Sequence, residues 1–147
     1  MKKTSFNQRL ERLLSSGSCP PLSYPEQVLD DIRDRKCHIV KVIGNDQQPD
    51  YAYSIGLWHH FNHPEVIAFG PPDPVGEKLI RDIQTLVKVG QPPPIQQALG
   101  LPVQNGPAHL QPIADEQWIR HFLNGADWFY DRESFPVLEL CWMSPQG

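Results

Sequence analysis

The chain's architecture turns on YAYSIGLWHHFNHPEVIAFG, from Tyr51 to Gly70. Tyr51, Tyr53, Ile55 and Leu57 fall on one face of a period-two strand, and Ala52, Ser54 and Gly56 fall on the other. One face is bulky and the other nearly bare, so a helix or a ligand can approach the backbone on the bare side. A second strand-like run follows at Glu65 to Phe69. The loop between the runs is shorter than the crossover of about a dozen residues that parallel neighbours need, which predicts an antiparallel pair.

Before this stretch, the β-branched run HIVKVI makes Cys37 to Ile43 a strand, and Gly44, Asn45 and Asp46 turn it into the strand at Tyr51 to Trp58. The three strands predict an antiparallel meander. Pro25 suits the first position of a helix running to about Arg35, with Val28, Leu29 and Ile32 as its apolar stripe. The opposite face of that helix carries Glu26, Asp30, Asp31 and Asp34, a candidate protein-binding surface whose ordinary alternative is a solvated acidic face. Earlier still, Phe6, Leu10, Leu13 and Leu14 recur at helical spacing after a Thr4 or Ser5 cap, and Ser15 to Pro25 reads as a linker. Residues 1–22 are therefore an amphipathic helix and linker, and 23–147 a single domain. The first helix can dock on the domain, dock on a partner, or stay loosely attached.

After Gly70, Val75, Leu79, Ile80, Ile83, Leu86 and Val87 form the clearest helical stripe, with Asp73 as cap, Pro74 at the first position and Gly90 as the stop. Prolines 92 to 94 make a spacer, and Ile95 to Leu99 add one helical turn. Leu101 to Gln104 and Ala108 to Ile113 are edge-strand candidates because of the prolines around them. A helix from Asp115 to Leu123 buries Trp118, Ile119 and Phe122; Asn124 and Gly125 interrupt it before Trp128, Phe129 and Tyr130. Phe135 to Trp142 is the last strand. The sum is an α+β fold: one domain with a mostly antiparallel sheet, the Asp73 to Val89 helix across one face and smaller helices at the sheet's ends.

At 147 residues the chain fits one domain, and its 16 prolines imply short, frequently stopped elements. A net charge of −4 supplies no overall attraction to nucleic acid or anionic membrane and suits a basic or neutral partner. Cys19, Cys37 and Cys141 share no metal or redox spacing, nothing resembles a signal peptide, and no apolar run approaches the roughly 20 residues of a membrane span. A reducing cytoplasm is the expected location.

Several segments carry a resemblance: HIVKV at His38, YAYSIGL at Tyr51, FNHPEVIAFG at Phe61, WFY at Trp128 and FPVLELCW at Phe135. Together they make the chain, from about residue 27 to its end, resemble a bacterial family catalogued as domain of unknown function 4262. The resemblance implies no activity. Lys36 and Cys37 stand where the family pattern tends to have Gly followed by Trp, which removes the glycine that a close backbone approach at that point would use. Met143 and Ser144 follow Trp142, where the family often continues with a Trp-Pro-Asp turn.

Three sets of residues carry possible chemistry. His59, His60 and His63 cluster in the expected loop and are metal-ligand types, yet a closed site needs about four convergent donors, so no metal is assigned. His63 and Glu65, stiffened by Pro64, are the catalytic acid and base candidates, and Tyr53, Ser54, Gly56 and Trp58 are the candidate ligand pocket beside them. The competing reading makes Pro64 a rigid turn and pairs Glu65 with Arg33 or Arg81. Ser54 lacks the flanking glycines of a nucleophile elbow, and Cys37 and His38 point to opposite faces of a strand. No glycine-rich phosphate loop accompanies the C-terminal aromatics, so no nucleotide or other cofactor is expected. The leading expectation is a small cytoplasmic protein-binding factor that neutralises another protein by direct binding, as an immunity or antitoxin-like protein does. Its alternative is a small enzyme or ligand-binding domain using the His/Glu pocket.

Overall fold

The two faces of the Tyr51 run sort the chain into two packing layers. The computed structural model describes residues 4–16, 20–70, 74–95 and 108–142. Within them lie α1 (Phe6–Ser16), α2 (Pro25–Arg35), β1 (His38–Val42), β2 (Tyr51–Ile55), α3 (Leu57–Phe61), β3 (Glu65–Phe69), α4 (Val75–Lys88), β4 (Ala108–Ile113), α5 (Glu116–Phe122), α6 (Asn124–Phe129) and β5 (Val137–Trp142). The five strands form one sheet in the order β1-β2-β3-β5-β4, antiparallel throughout except for the parallel pair β3–β5. The fold is thus α+β in a single domain, and the meander β1-β2-β3 stands as the short connections require. The long path through α4 to α6 supplies the crossover that the parallel pair needs.

On the bare face, Ala52 lies in one core with Ile39, Val66, Ala68, Leu138 and Leu140, and α4 closes it with Leu79, Ile80, Ile83 and Val87. Each such side chain contributes about 1.5–3 kcal/mol on burial, against propensity differences of at most about 0.7 kcal/mol per residue, so packing rather than propensity holds α4. On the bulky face, Tyr51, Tyr53, Ile55, Ile67 and Val137 join Val28 and Ile32 of α2, Ile119 of α5, and Ala126 and Phe129 of α6 in a second core. The small helices expected at the sheet's ends therefore include three that supply this second layer. In α1, Ser5 and Gln8 exchange backbone-to-side-chain hydrogen bonds in a capping box, and Phe6 and Leu13 pack on the second core. The N-terminal helix docks on the domain.

The main departure from the sequence reading lies after Ile55. The strand expected to reach Trp58 stops, because Gly56 adopts φ +128° and the chain winds into α3, so His59 and His60 sit on a helix rather than in a hairpin loop. Asn62, at φ 55°, ends α3, its N–H donating to the Trp58 carbonyl at 3.0 Å. The boundary at α4 moves by one residue, with Pro74 as the cap residue, and β5 begins at Val137, after Pro136, which has no N–H to give a ladder although its carbonyl accepts from the Glu65 N–H at 3.0 Å. Asp73, Cys19, the turn expected after Ile95 and the strand expected at Leu101 to Gln104 lie outside the described residues. Lys36 ends α2 at φ 71°, and its carbonyl oxygen lies 2.5 Å from where a Cβ on Gly56 would sit. The close backbone approach exists, then, with Gly56 as the residue that permits it.

Gly56→Ala is accordingly expected to destabilise the fold by about 2–4 kcal/mol, through left-handed strain and a backbone clash that no side chain can relieve. Urea unfolding should show the loss as a lower midpoint with an unchanged slope; a midpoint equal to that of the parent would refute the assignment.

Candidate functional site

A helix start leaves N–H groups without helical partners, and at α3 they converge on one carboxylate from the neighbouring strand. Gly56 N–H donates to Glu65 Oε2 at 2.9 Å, Leu57 N–H to Oε1 at 3.2 Å and Trp58 N–H to Oε2 at 3.2 Å. Ser54 Oγ donates to Oε1 at 2.7 Å and accepts from the Val66 N–H at 2.9 Å. The Tyr130 hydroxyl donates to Oε2 and accepts from the His59 N–H at 3.2 Å. Glu65, Ser54 and Tyr130 are all at 0% exposure.

Five donors on two oxygens suit an ionised carboxylate, since three of them are backbone amides that can only donate. Burial pushes the Glu65 pKa above the usual carboxylate value, with Tyr130, Ser54 and the Gly56 and Trp58 amides opposing. The Tyr130 hydroxyl is pushed well above its ordinary value by burial and by the adjacent Glu65 charge. Chemically the arrangement is a cap: it neutralises the helix start and ties β2, α3, β3 and α6's end to one point.

Of the residues expected to line a pocket, Ser54, Gly56 and Trp58 do meet Glu65, the last two through their amides. Tyr53 does not. Its hydroxyl donates to Asn124 Oδ1 at 3.3 Å and accepts from the Gly125 N–H at 2.9 Å, which fastens α6 to the sheet. His63 is half-buried with Nδ1 2.8 Å from the Pro64 carbonyl, burial lowers its pKa, and no hydrogen bond joins it to Glu65. Neither arginine expected to pair with Glu65 reaches it: Arg33 bridges Asp30 and Asp34, and Arg81 donates to the Cys37 carbonyl and to Gln84. The reason is the donor set itself, which leaves no room on the carboxylate for a cation.

The three candidate metal ligands point to separate partners. His59 Nδ1 accepts from Arg9 Nε at 2.9 Å, His60 Nε2 lies 2.7 Å from the Ile32 carbonyl, and His63 faces Pro64. Among the described residues no three His, Cys, Asp or Glu side chains are placed to hold a metal ion. On α2, Glu26, Asp30 and Asp34 are exposed, while Asp31 is drawn in to His38 Nδ1 at 2.9 Å. A shallow hollow between α5 and the turn before β5 is lined by Glu116, Arg120, Asp127 and Ser134 and by none of the expected pocket residues.

Two participants escape the sequence reading. Tyr130 belongs to the WFY segment, where an aromatic reads as core and its hydroxyl's aim carries no local signal. Arg9 reads as part of a solvated basic face, yet it is 4% exposed and reaches His59 and, at 3.0 Å, Glu133.

The buried hydroxyls and thiol set an alkaline limit on stability. Tyr130, Tyr53 and Cys37 all have pKa values raised by burial, so they keep their protons in the fold while the unfolded chain loses them above about 8.5 for the thiol and about 10 for the phenols. The folded state then binds more protons than the unfolded one, and stability falls by about 1.4 kcal/mol per pH unit per group above those values. Tyr130→Phe should cost about 1–3 kcal/mol at pH 7 and flatten the decline above pH 10, as read by urea unfolding across pH. An unchanged alkaline slope would contradict the burial of this hydroxyl against Glu65.

No curated protein and no solved structure matches the chain. A family model, described as a domain of unknown function (DUF4262), matches residues 31–147, which include β1 to β5, Glu65, its five donors and every candidate catalytic, pocket and metal-ligating residue. The chain belongs to the family of that domain of unknown function, DUF4262.

Proposed function

We propose that this chain works as a protein-binding factor, recognising a basic partner through the exposed acidic side chains of α2 and neutralising it by direct binding, as an immunity or antitoxin-like protein does. The observation that carries this reading is the sealing of Glu65: its oxygens are filled by five internal donors, Ser54 and Gly56 among them, and Ala52 on the small face of β2 is buried in the core that α4 closes. The acidic residues Glu26, Asp30 and Asp34, in contrast, stand on solvent on a helix anchored beneath by Val28 and Ile32. Exposed carboxylates, two of which pair with Arg33, on an acidic chain favour charge-steered association with a basic surface.

The test reverses the row while sparing Asp31, which holds His38. Glu26→Lys, Asp30→Lys and Asp34→Lys together should abolish stoichiometric co-purification of a protein partner retained by the parent chain, with the melting temperature moving by no more than about 2 °C. Undiminished capture by the triple variant would remove α2 from the proposal. A parent chain that retains a small molecule instead, and loses it on His63→Ala, would favour the ligand-binding alternative.

A further inference from the structure

The environment of Arg9 is that of a recognised ligand rather than of a surface side chain. Its guanidinium lies 4.8 Å from the ring centroid of Tyr130, 5.6 Å from that of Phe129 and 5.9 Å from that of Trp58. Nε donates to His59 Nδ1 at 2.9 Å, and Nη1 forms an ion pair with Glu133 Oε1 at 3.0 Å, which Arg12 also approaches at 3.4 Å. Three aromatic rings, an unprotonated imidazole nitrogen and a carboxylate are the features that select a planar, forked cation over a compact ammonium. Around the guanidinium, α1 adds Phe6, whose ring lies 6.2 Å from those of His59 and Phe129, and the partly buried Leu13, while Leu14 is 83% exposed.

The origin of the two halves differs. Trp58, His59, Phe129, Tyr130 and Glu133 all fall within the family-matched residues 31–147, whereas Arg9 lies outside them. The cage belongs to the domain, and its occupant comes from a flanking helix. The Tyr130 ring and the His59 backbone are fixed independently of that helix, because the His59 N–H donates to the Tyr130 hydroxyl and that hydroxyl donates to Glu65. The Tyr130 wall of the site is thereby preorganised by the buried cap.

We propose that Trp58, His59, Phe129, Tyr130 and Glu133 form a recognition site for an arginine carried on an amphipathic helix, which α1 fills in cis with Arg9 and which an arginine-bearing helix of another protein chain enters when α1 is displaced. α1 is then an intramolecular competitor, present at the high effective concentration that a tether gives. The site does not involve α2, so it stands or falls separately from the acidic-face reading.

The experiment uses the full chain with Arg9→Ala and a labelled peptide of residues 1–16 as probe, followed by fluorescence anisotropy. The Arg9→Ala chain should bind the native peptide, and should bind the same peptide carrying Arg9→Lys at least about tenfold more weakly, because lysine lacks the fork. The parent chain should bind the native peptide at least about tenfold more weakly than the Arg9→Ala chain does, through competition from its own α1. Exchange of α1 between two copies, seen as a dimer of the parent chain, would equally support occupation in trans. Should Arg9→Ala fail to fold, the Arg9→Lys chain takes its place with the same probes. Equal binding of the arginine and lysine peptides, or no binding of the native peptide to either variant, would overturn the proposal.

Discussion

The hydrogen bonding of Glu65 is the interaction on which the rest of the structure depends. A buried carboxylate is costly unless its oxygens are filled, and here three amides and two hydroxyls fill them. The same contacts solve a second problem, since the first turn of α3 would otherwise bury amides without acceptors. Removing the carboxylate would therefore expose two deficits at once. That coupling explains why a five-residue helix too short to persist alone holds its place between two strands.

The cap also sets what each face of the sheet can do. Ser54 turns its hydroxyl toward Glu65 and Val66, so the bare side of β2 presents little besides Ala52, and α4 packs there. On the opposite face, Tyr130 is held by Glu65 and Tyr53 by α6, so aromatic side chains carry both packing and orientation. The rigidity passes outward to Trp58 and His59, whose amides belong to the cap and its hydroxyl partner and whose side chains meet Arg9. Structure and recognition thus share one set of backbone amides.

Much of this is legible in the sequence, though unevenly. Alternation in Tyr51 to Ile55, the periodicity of the α4 stripe and the helix after Asp115 follow from local rules, and those elements are where the rules put them, whereas Leu57, expected on the bulky face, packs in the opposite core. Ser54, Gly56 and Glu65 are also legible as a set worth singling out. Their arrangement is not, because LWHHF continues the alternation of the preceding strand and only the backbone of Gly56, at φ +128°, reverses it. Tyr130 stands 65 residues from Glu65, and Arg9 stands 50 from His59; no local pattern encodes either pairing. Long-range polar contacts of this kind are decided by the assembled fold.

The most direct measurement of the cap is native-state hydrogen exchange at the amides of Gly56, Leu57, Trp58 and His59. If Glu65 and Tyr130 hold the start of α3 as described, these four amides exchange only through global unfolding, with a protection free energy equal to that of the core strands. Exchange at a free energy well below the global value would mean that α3 opens on its own and that the carboxylate is not the fastening point.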